Sequence, residues 1–156
     1  MTARVLILDD DPVWCDLYRM TLDGLGYTII TASTLPDIET VIDLQPDLIL
    51  LDHFRGSTAP GWIFLIQLKT FAETEHIPVV VCTADHEAVN AQIYDLVIFN
   101  VNVVYKPFDL NDFRSAIRYS LPSERVPAIA ARALTRNAPV PSYTCRQALA
   151  GSRRMS

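Results

Sequence analysis

Five short apolar runs rich in β-branched residues recur along the chain, each separated from the next by a stretch long enough for a helix. They fall at residues 4–9 (RVLILD), 27–31 (YTIIT), 47–52 (DLILLD), 78–83 (PVVVCT) and 101–105 (VNVVY). Continuous apolar strands alternating with amphipathic segments predict an α/β fold, a doubly wound five-stranded parallel sheet covered by helices on both faces. A chain of 156 residues, half of them hydrophobic, accommodates one such domain and an appendage.

The intervening segments read as five helices. The first has Asp11 as N-cap and Pro12 at the first helical position, with Trp14, Leu17, Tyr18, Leu22 and Leu25 on one face and Gly26 as its stop. A short second helix spans about 36–44. The third, about 61–72, is unusually apolar through Trp62, Ile63, Phe64, Leu65, Ile66, Leu68 and Phe71, and burial is expected to explain most of that. A fourth, about 86–96, carries only the thin stripe Val89, Ile93 and Leu96. The fifth starts from a cap at Asp109 and aligns Leu110, Phe113, Ile117 and Leu121.

Beyond Leu121 the periodicity fades and Pro122, Pro127, Pro139 and Pro141 interrupt any long helix. Residues 1–121 are expected to form the domain, and 122–156 a flexible or partly helical tail with a short helix around Ala128–Leu134. Charge divides at the same place. The first segment holds seven Lys/Arg against seventeen Asp/Glu, a net of −10, and the second holds six arginines against Glu124, a net of +5. An acidic body is a poor direct partner for nucleic acid, and a tail that merely rests on acidic surface could be removed at Leu121 with little loss of stability.

Met1–Leu8 meets the acidic run too early to be a secretory core or membrane span, which predicts a cytoplasmic protein without membrane association. Cys15, Cys82 and Cys145 are widely spaced and form no C-x-x-C pair, so neither a disulfide framework nor a zinc site is indicated. Cys82 reads as core.

Ligands of a doubly wound sheet collect at the carboxyl ends of its central strands. Asp9 and Asp10 follow the first strand, Asp52 ends the third, Thr83 ends the fourth, and Lys106 follows the fifth. Each has an ordinary reading alone: acidic runs cap helices, strand-ending threonines and aspartates are structural, and a lysine before proline lies on the surface. Together they suggest a site. Three converging carboxylates repel one another unless a cation neutralises them, and an oxygen-only donor set with room for water and phosphate describes magnesium better than zinc or calcium. Lys106 would then supply a mobile positive charge and the Thr83 hydroxyl a hydrogen bond to a phosphoryl oxygen, with Asp52 as nucleophile.

The segments L-I-L-D-D-D-P, P-D-L-I-L-L-D, P-V-V-V-C-T-A and Y-K-P-F, in that order over residues 4 to about 121, resemble the four signature segments of response-regulator receiver domains, the chemotaxis-regulator-like modules of two-component signalling. The resemblance implies a flavodoxin-like sheet of strand order 2-1-3-4-5 and a phosphorelay role without enzymatic turnover of its own. Asp52 becomes the phosphoacceptor. Mg2+ would be held directly by Asp10, mainly through water by Asp9, and by Asp52 and the backbone carbonyl of Phe54. Thr83 and Lys106 become the phosphate-sensing pair, and Lys106–Pro107 would be a cis peptide. The implied partners are a sensor histidine kinase or phosphotransfer protein and a downstream protein, and homodimer formation is compatible with the fold.

The chain departs from that family in three places. The loop H-F-R-G-S-T-A-P-G after Asp52 lacks the usual proline and sets Gly61 one residue late; Ile98-Phe99-Asn100 replaces a glycine-alanine pair; and Val103 stands where an aromatic residue is usual. Output is therefore expected to run through Tyr105, which shares a strand face with Val103 while Lys106 projects to the other. Phe54 and Asp85 are expected to tune the lifetime of the phosphorylated state, Phe54 slowing hydrolysis by covering the phosphoryl group and Asp85 acting on the attacking water. His53 beside the acceptor reads as structural.

Two other functions fit parts of the pattern. Asp9-x-Asp11 satisfies the D-x-D requirement of haloacid-dehalogenase-like phosphatases, with Asp9 as nucleophile and Thr83 and Lys106 as later motifs. A receiver-like scaffold that signals by binding, without phosphorylation, would keep the fold.

Overall fold

The computed structural model describes residues 2–52 and 59–133. All five expected strands form: β1 (Arg4–Leu8), β2 (Thr28–Ala32), β3 (Leu48–Leu51), β4 (Val79–Thr83) and β5 (Asn102–Tyr105). They pair in parallel in the order β2-β1-β3-β4-β5, the arrangement implied by the family resemblance. Leu8 lies opposite Leu51, Leu51 opposite Val81, and Thr83 opposite Tyr105, so the residues that follow these strands emerge along one edge of the sheet.

Alternation along the strands divides the core. Leu6, Leu8, Ile49, Leu51, Val79, Val81 and Val103 pack with helices α2 (Ile38–Leu44), α3 (Pro60–Thr70), α4 (His86–Ala91) and α5 (Ile93–Ile98). Val5, Ile7, Leu48, Leu50, Val80, Cys82 and Val104 pack on the other face with α1 (Pro12–Leu22) and α6 (Leu110–Ser120). Cys82 is core, as expected.

The helix starts follow their capping residues. Asp11 accepts from the Val13 amide at 2.9 Å with Pro12 in the first turn, and Asp109 accepts from the Asn111 amide at 2.8 Å. The first helix, however, ends at Leu22, and Gly24 (φ 70°) and Gly26 (φ 88°) both lie in the turn that follows. Leu25 packs on the core from that turn rather than from the helix.

The expected single fourth helix is two. Gln92, at φ −111° and ψ 14°, separates α4 from α5 and makes no side-chain cap there. A segment with so narrow an apolar stripe has little packing to hold a continuous helix across polar residues. At the end of α5, Asn100 takes φ 54°. Its amide donates to the Val97 carbonyl at 3.1 Å and the next amide, of Val101, to Leu96 at 2.9 Å. These are the two bonds of a Schellman cap, with asparagine filling the left-handed position usually held by glycine.

Burial does not account for all of the apolarity of α3: Ile63 is 51% exposed and Phe71, just past the helix, 47%. Residues 122–133 touch the body and include the short helix expected there. A 3₁₀ turn (Ser123–Arg125) leads into α7 (Ala128–Ala133). Arg125 pairs with Asp47 at 3.3 Å, Val126 packs on the α1–α6 side of the core, and Ala130 is buried. Residues 134–156, and Cys145 with them, lie outside the described residues.

Candidate functional site

The edge where β1, β3, β4 and β5 end gathers the polar residues that sequence spacing had singled out. One carboxylate oxygen from each of Asp9, Asp10 and Asp52 lies within 4.8 Å of the others. Lys106 reaches in from the end of β5, its Nζ donating to Asp52 Oδ1 at 2.7 Å and Asp9 Oδ2 at 3.1 Å. The Lys106–Pro107 peptide is cis.

The three acids are not equivalent. Asp9 is fully buried as a side chain. It accepts from the Asp11 amide at 2.9 Å and the Tyr18 hydroxyl at 3.3 Å in addition to Lys106. Asp10 is exposed and Asp52 is 18% exposed at its side chain. Burial pushes the Asp52 carboxyl above the usual carboxylate range, opposed by Lys106 and reinforced by Asp9. The same burial raises the Tyr18 hydroxyl and the Cys82 thiol, which therefore stay protonated.

A cleft of about 700 Å³ opens over this edge, lined among others by Asp10, Trp14, Asp52, Thr83, Asp85 and Lys106. Thr83 is buried and its Oγ1 accepts from the Asp85 amide at 3.0 Å. Asp85 caps α4, Oδ1 accepting from the Ala88 amide at 2.9 Å, so its carboxylate is partly committed to the helix. Val103 is buried, and Tyr105 packs against the same core layer, as the alternation of β5 predicts. That layer belongs to α2–α5, so Tyr105 does not serve mainly as a packing surface for the last helix of the domain.

His53 and Phe54 lie outside the described residues, and with them the expected carbonyl ligand and the expected shield over the acceptor. Sequence reasoning missed two other residues. Trp14, placed only on the packing face of α1, sits over Lys106 and lines the cleft. His86 also lines the cleft and stacks on Tyr105. The signal for Trp14 was its position in the first turn of the helix that follows Asp9 and Asp10, whose start must lie beside the strand ends. No local signal pairs His86 with Tyr105.

Comparison with known proteins agrees with this geometry. The family model of the response regulator receiver domain matches residues 5–118. The chain is 30% identical over 129 residues to the DNA-binding dual master transcriptional regulator RpaA of Synechocystis, covering 81% of this chain and 53% of that protein. It is 35% identical over 89 residues to the polar-differentiation response regulator DivK of Brucella ovis, covering 54% of this chain and 68% of that protein. The chain thus spans about half the length of the first of these relatives. The chemotaxis protein CheY4 of Vibrio cholerae superposes with a TM-score of 0.62 at 19% identity, over 78% of this chain and all of that one, a likeness of fold. With the family matched along the whole sheet and the acidic cluster assembled at its carboxyl edge, the chain belongs to the response regulator receiver domains, the signalling modules of two-component systems.

Proposed function

We propose that Asp52 is the phosphoacceptor of this receiver. The observation that carries the reading is its place in the cluster: it is the acid that both faces the cleft and meets Lys106 at 2.7 Å. An Asp52 oxygen attacks the phosphorus of a phosphohistidine on a sensor kinase or phosphotransfer protein; the P–N bond breaks and its electron pair stays on the imidazole. Lys106 then turns from the carboxylate to a phosphoryl oxygen, and the Thr83 hydroxyl, whose oxygen already accepts from the Asp85 amide, donates a hydrogen bond to another.

The donor set fits a hard divalent cation: three carboxylates within 4.8 Å carry more negative charge than one ammonium offsets, and every side-chain donor is oxygen. Magnesium, when bound, would neutralise charge on the phosphoryl group. Asp10 would be the acid to touch it directly, being exposed at the cleft, while Asp9, already engaged by Tyr18, Lys106 and the Asp11 amide, would act mainly through water. Asp52 would complete the side-chain donors, and the family resemblance would add the backbone carbonyl of Phe54, which lies outside the described residues.

The same burial weighs against the phosphatase reading, since an Asp9 nucleophile would have to leave all three partners to reach substrate. Among the described residues no helix is long and apolar enough to cross a membrane, and the reading places the signalling in the cytoplasm, with a downstream protein as its target. The test is a phosphodonor such as acetyl phosphate with Mg2+, reductive trapping of the acyl phosphate and peptide mapping. Trapping at Asp52 supports the proposal; trapping at Asp9 would favour the phosphatase, and no trapped product the unphosphorylated scaffold.

A further inference from the structure

Lys106 has a neighbour that the acidic cluster does not account for. The ring centroid of Trp14 lies 4.3 Å from its Nζ, and that of Tyr18 5.8 Å. The lysine side chain is only 8% exposed, so its ammonium sits between two carboxylates on one side and an indole face on the other, largely out of water. A cation over tryptophan gains most where it is desolvated.

Trp14 is itself braced. Its ring lies 5.5 Å from Phe108 and 6.1 Å from Tyr18, and Phe108 stacks on both Tyr18 and Phe113. Asp11 and Pro12 hold the first turn of α1 at the carboxyl end of β1. The indole is thereby fixed between the two elements that deliver Asp9 and Lys106.

The ammonium needs such a fixed neighbour because its other partners change. Lysine carries a point charge on a flexible four-carbon stem, with little geometry of its own. When a phosphoryl group occupies an Asp52 oxygen, the 2.7 Å ion pair to that carboxylate is lost or rearranged, whereas the indole face is untouched.

We propose that Trp14 is a positioning residue for Lys106, holding the ammonium over the Asp9–Asp52 edge and keeping it within reach of the phosphoryl group during transfer. The inference rests on Asp52 being the acceptor. It adds a requirement for an aromatic face, which simple packing would not impose.

The experiment follows labelling of the full chain by acetyl phosphate at saturating Mg2+, over a range of donor concentrations, for the parent, Trp14→Leu and Trp14→Phe. Thermal melts confirm that each is folded, and Trp14→Met is the second non-aromatic variant should Trp14→Leu melt early. Loss of the aromatic face should lower the maximal rate about three- to tenfold with less change in the half-saturating donor concentration, and Trp14→Phe should recover most of the rate. A parent that takes no label overturns the acceptor reading and this inference together. If the parent is labelled and Trp14→Leu keeps pace with it, or if Trp14→Leu and Trp14→Phe are slowed alike, the positioning role alone is overturned.

Discussion

The rings of His86 and Tyr105 lie face to face, with centroids 4.0 Å apart and planes 6° from parallel. His86 opens α4, three residues after Thr83, and lines the cleft; Tyr105 immediately precedes Lys106. The stack therefore joins the start of α4, just beyond Thr83 at the end of β4, to the end of β5, just before Lys106. It occupies the neighbourhood where Val103 is aliphatic and buried. If it transmits the state of the site, His86→Ala and Tyr105→Leu should each shrink, by half or more, the amide NMR shifts that an aspartyl-phosphate mimic induces in residues 110–120, and the double variant should do no more than either. Full-sized shifts in both single variants would remove the stack from the signalling route.

Asp9 and Asp10 should separate stability from metal binding. Asp9→Ala leaves the Tyr18 hydroxyl, the Asp11 amide and part of Lys106 without their buried acceptor, and should cost about 2 kcal/mol or more of stability. Asp10→Ala, at an exposed position, should leave stability within about 0.5 kcal/mol yet weaken Mg2+ binding more than Asp9→Ala does. Denaturant melts and a Mg2+ titration on both variants check the crossing pattern, and equal metal losses would count against it.

The segment after Leu121 should matter for stability, contrary to the expectation drawn from its charge and prolines. Its anchors are Arg125 on Asp47, Val126 against the core, the buried Ala130, and Pro127 beside Gly26, where a Cβ built on the glycine would lie 2.8 Å from the proline Cβ. Burial of two or three small apolar side chains stabilises by about 2 kcal/mol. A chain ending at Leu121 should then melt roughly 5–10 °C below one ending at Ala133. Gly26→Ala should destabilise in the longer chain through both this contact and its φ of 88°. Equal melting temperatures for the two truncations would show the anchors to be superficial.

Lys69 gives a pH dependence of definite sign. Its Nζ donates to the Ile77 carbonyl at 2.6 Å, and burial pushes its pKa down to about 8, with Glu75 pulling weakly the other way. A lysine whose folded pKa lies below its unfolded value near 10.4 binds fewer protons when folded, so stability rises with pH between the two. Relative to Lys69→Met, the parent should gain on the order of 1 kcal/mol from pH 8 to 10, given the partial exposure of the side chain. A parallel pair of stability–pH curves would show that the group is not desolvated.

The fold was legible because its signals are local. Each parallel strand is a continuous apolar run, and Asp9, Asp10, Asp52, Thr83 and Lys106 could be placed by the strand ends that carry them. What escaped depends on contacts distant in sequence or on backbone geometry. Arg125 meets Asp47, far from it in sequence, and nothing near either residue announces it. His86 and Tyr105 belong to different units. The break at Gln92 and the left-handed Asn100 are backbone choices that a weak apolar stripe does not specify. The composition of α3 showed its apolarity but not that Ile63 would face outward. Trp14 was seen as core because helical spacing gives a direction and not the identity of the group opposite.

The central claim is that Asp52 takes the phosphoryl group, and Asp52→Asn tests it most directly. The amide keeps the shape of the side chain and removes its nucleophilic charge. Because burial already disfavours the ionised carboxyl there, the variant should remain folded at pH 7. With acetyl phosphate and Mg2+, the parent should incorporate acid-stable, base-labile phosphate and Asp52→Asn should incorporate none. Equal labelling of the two proteins would contradict the account.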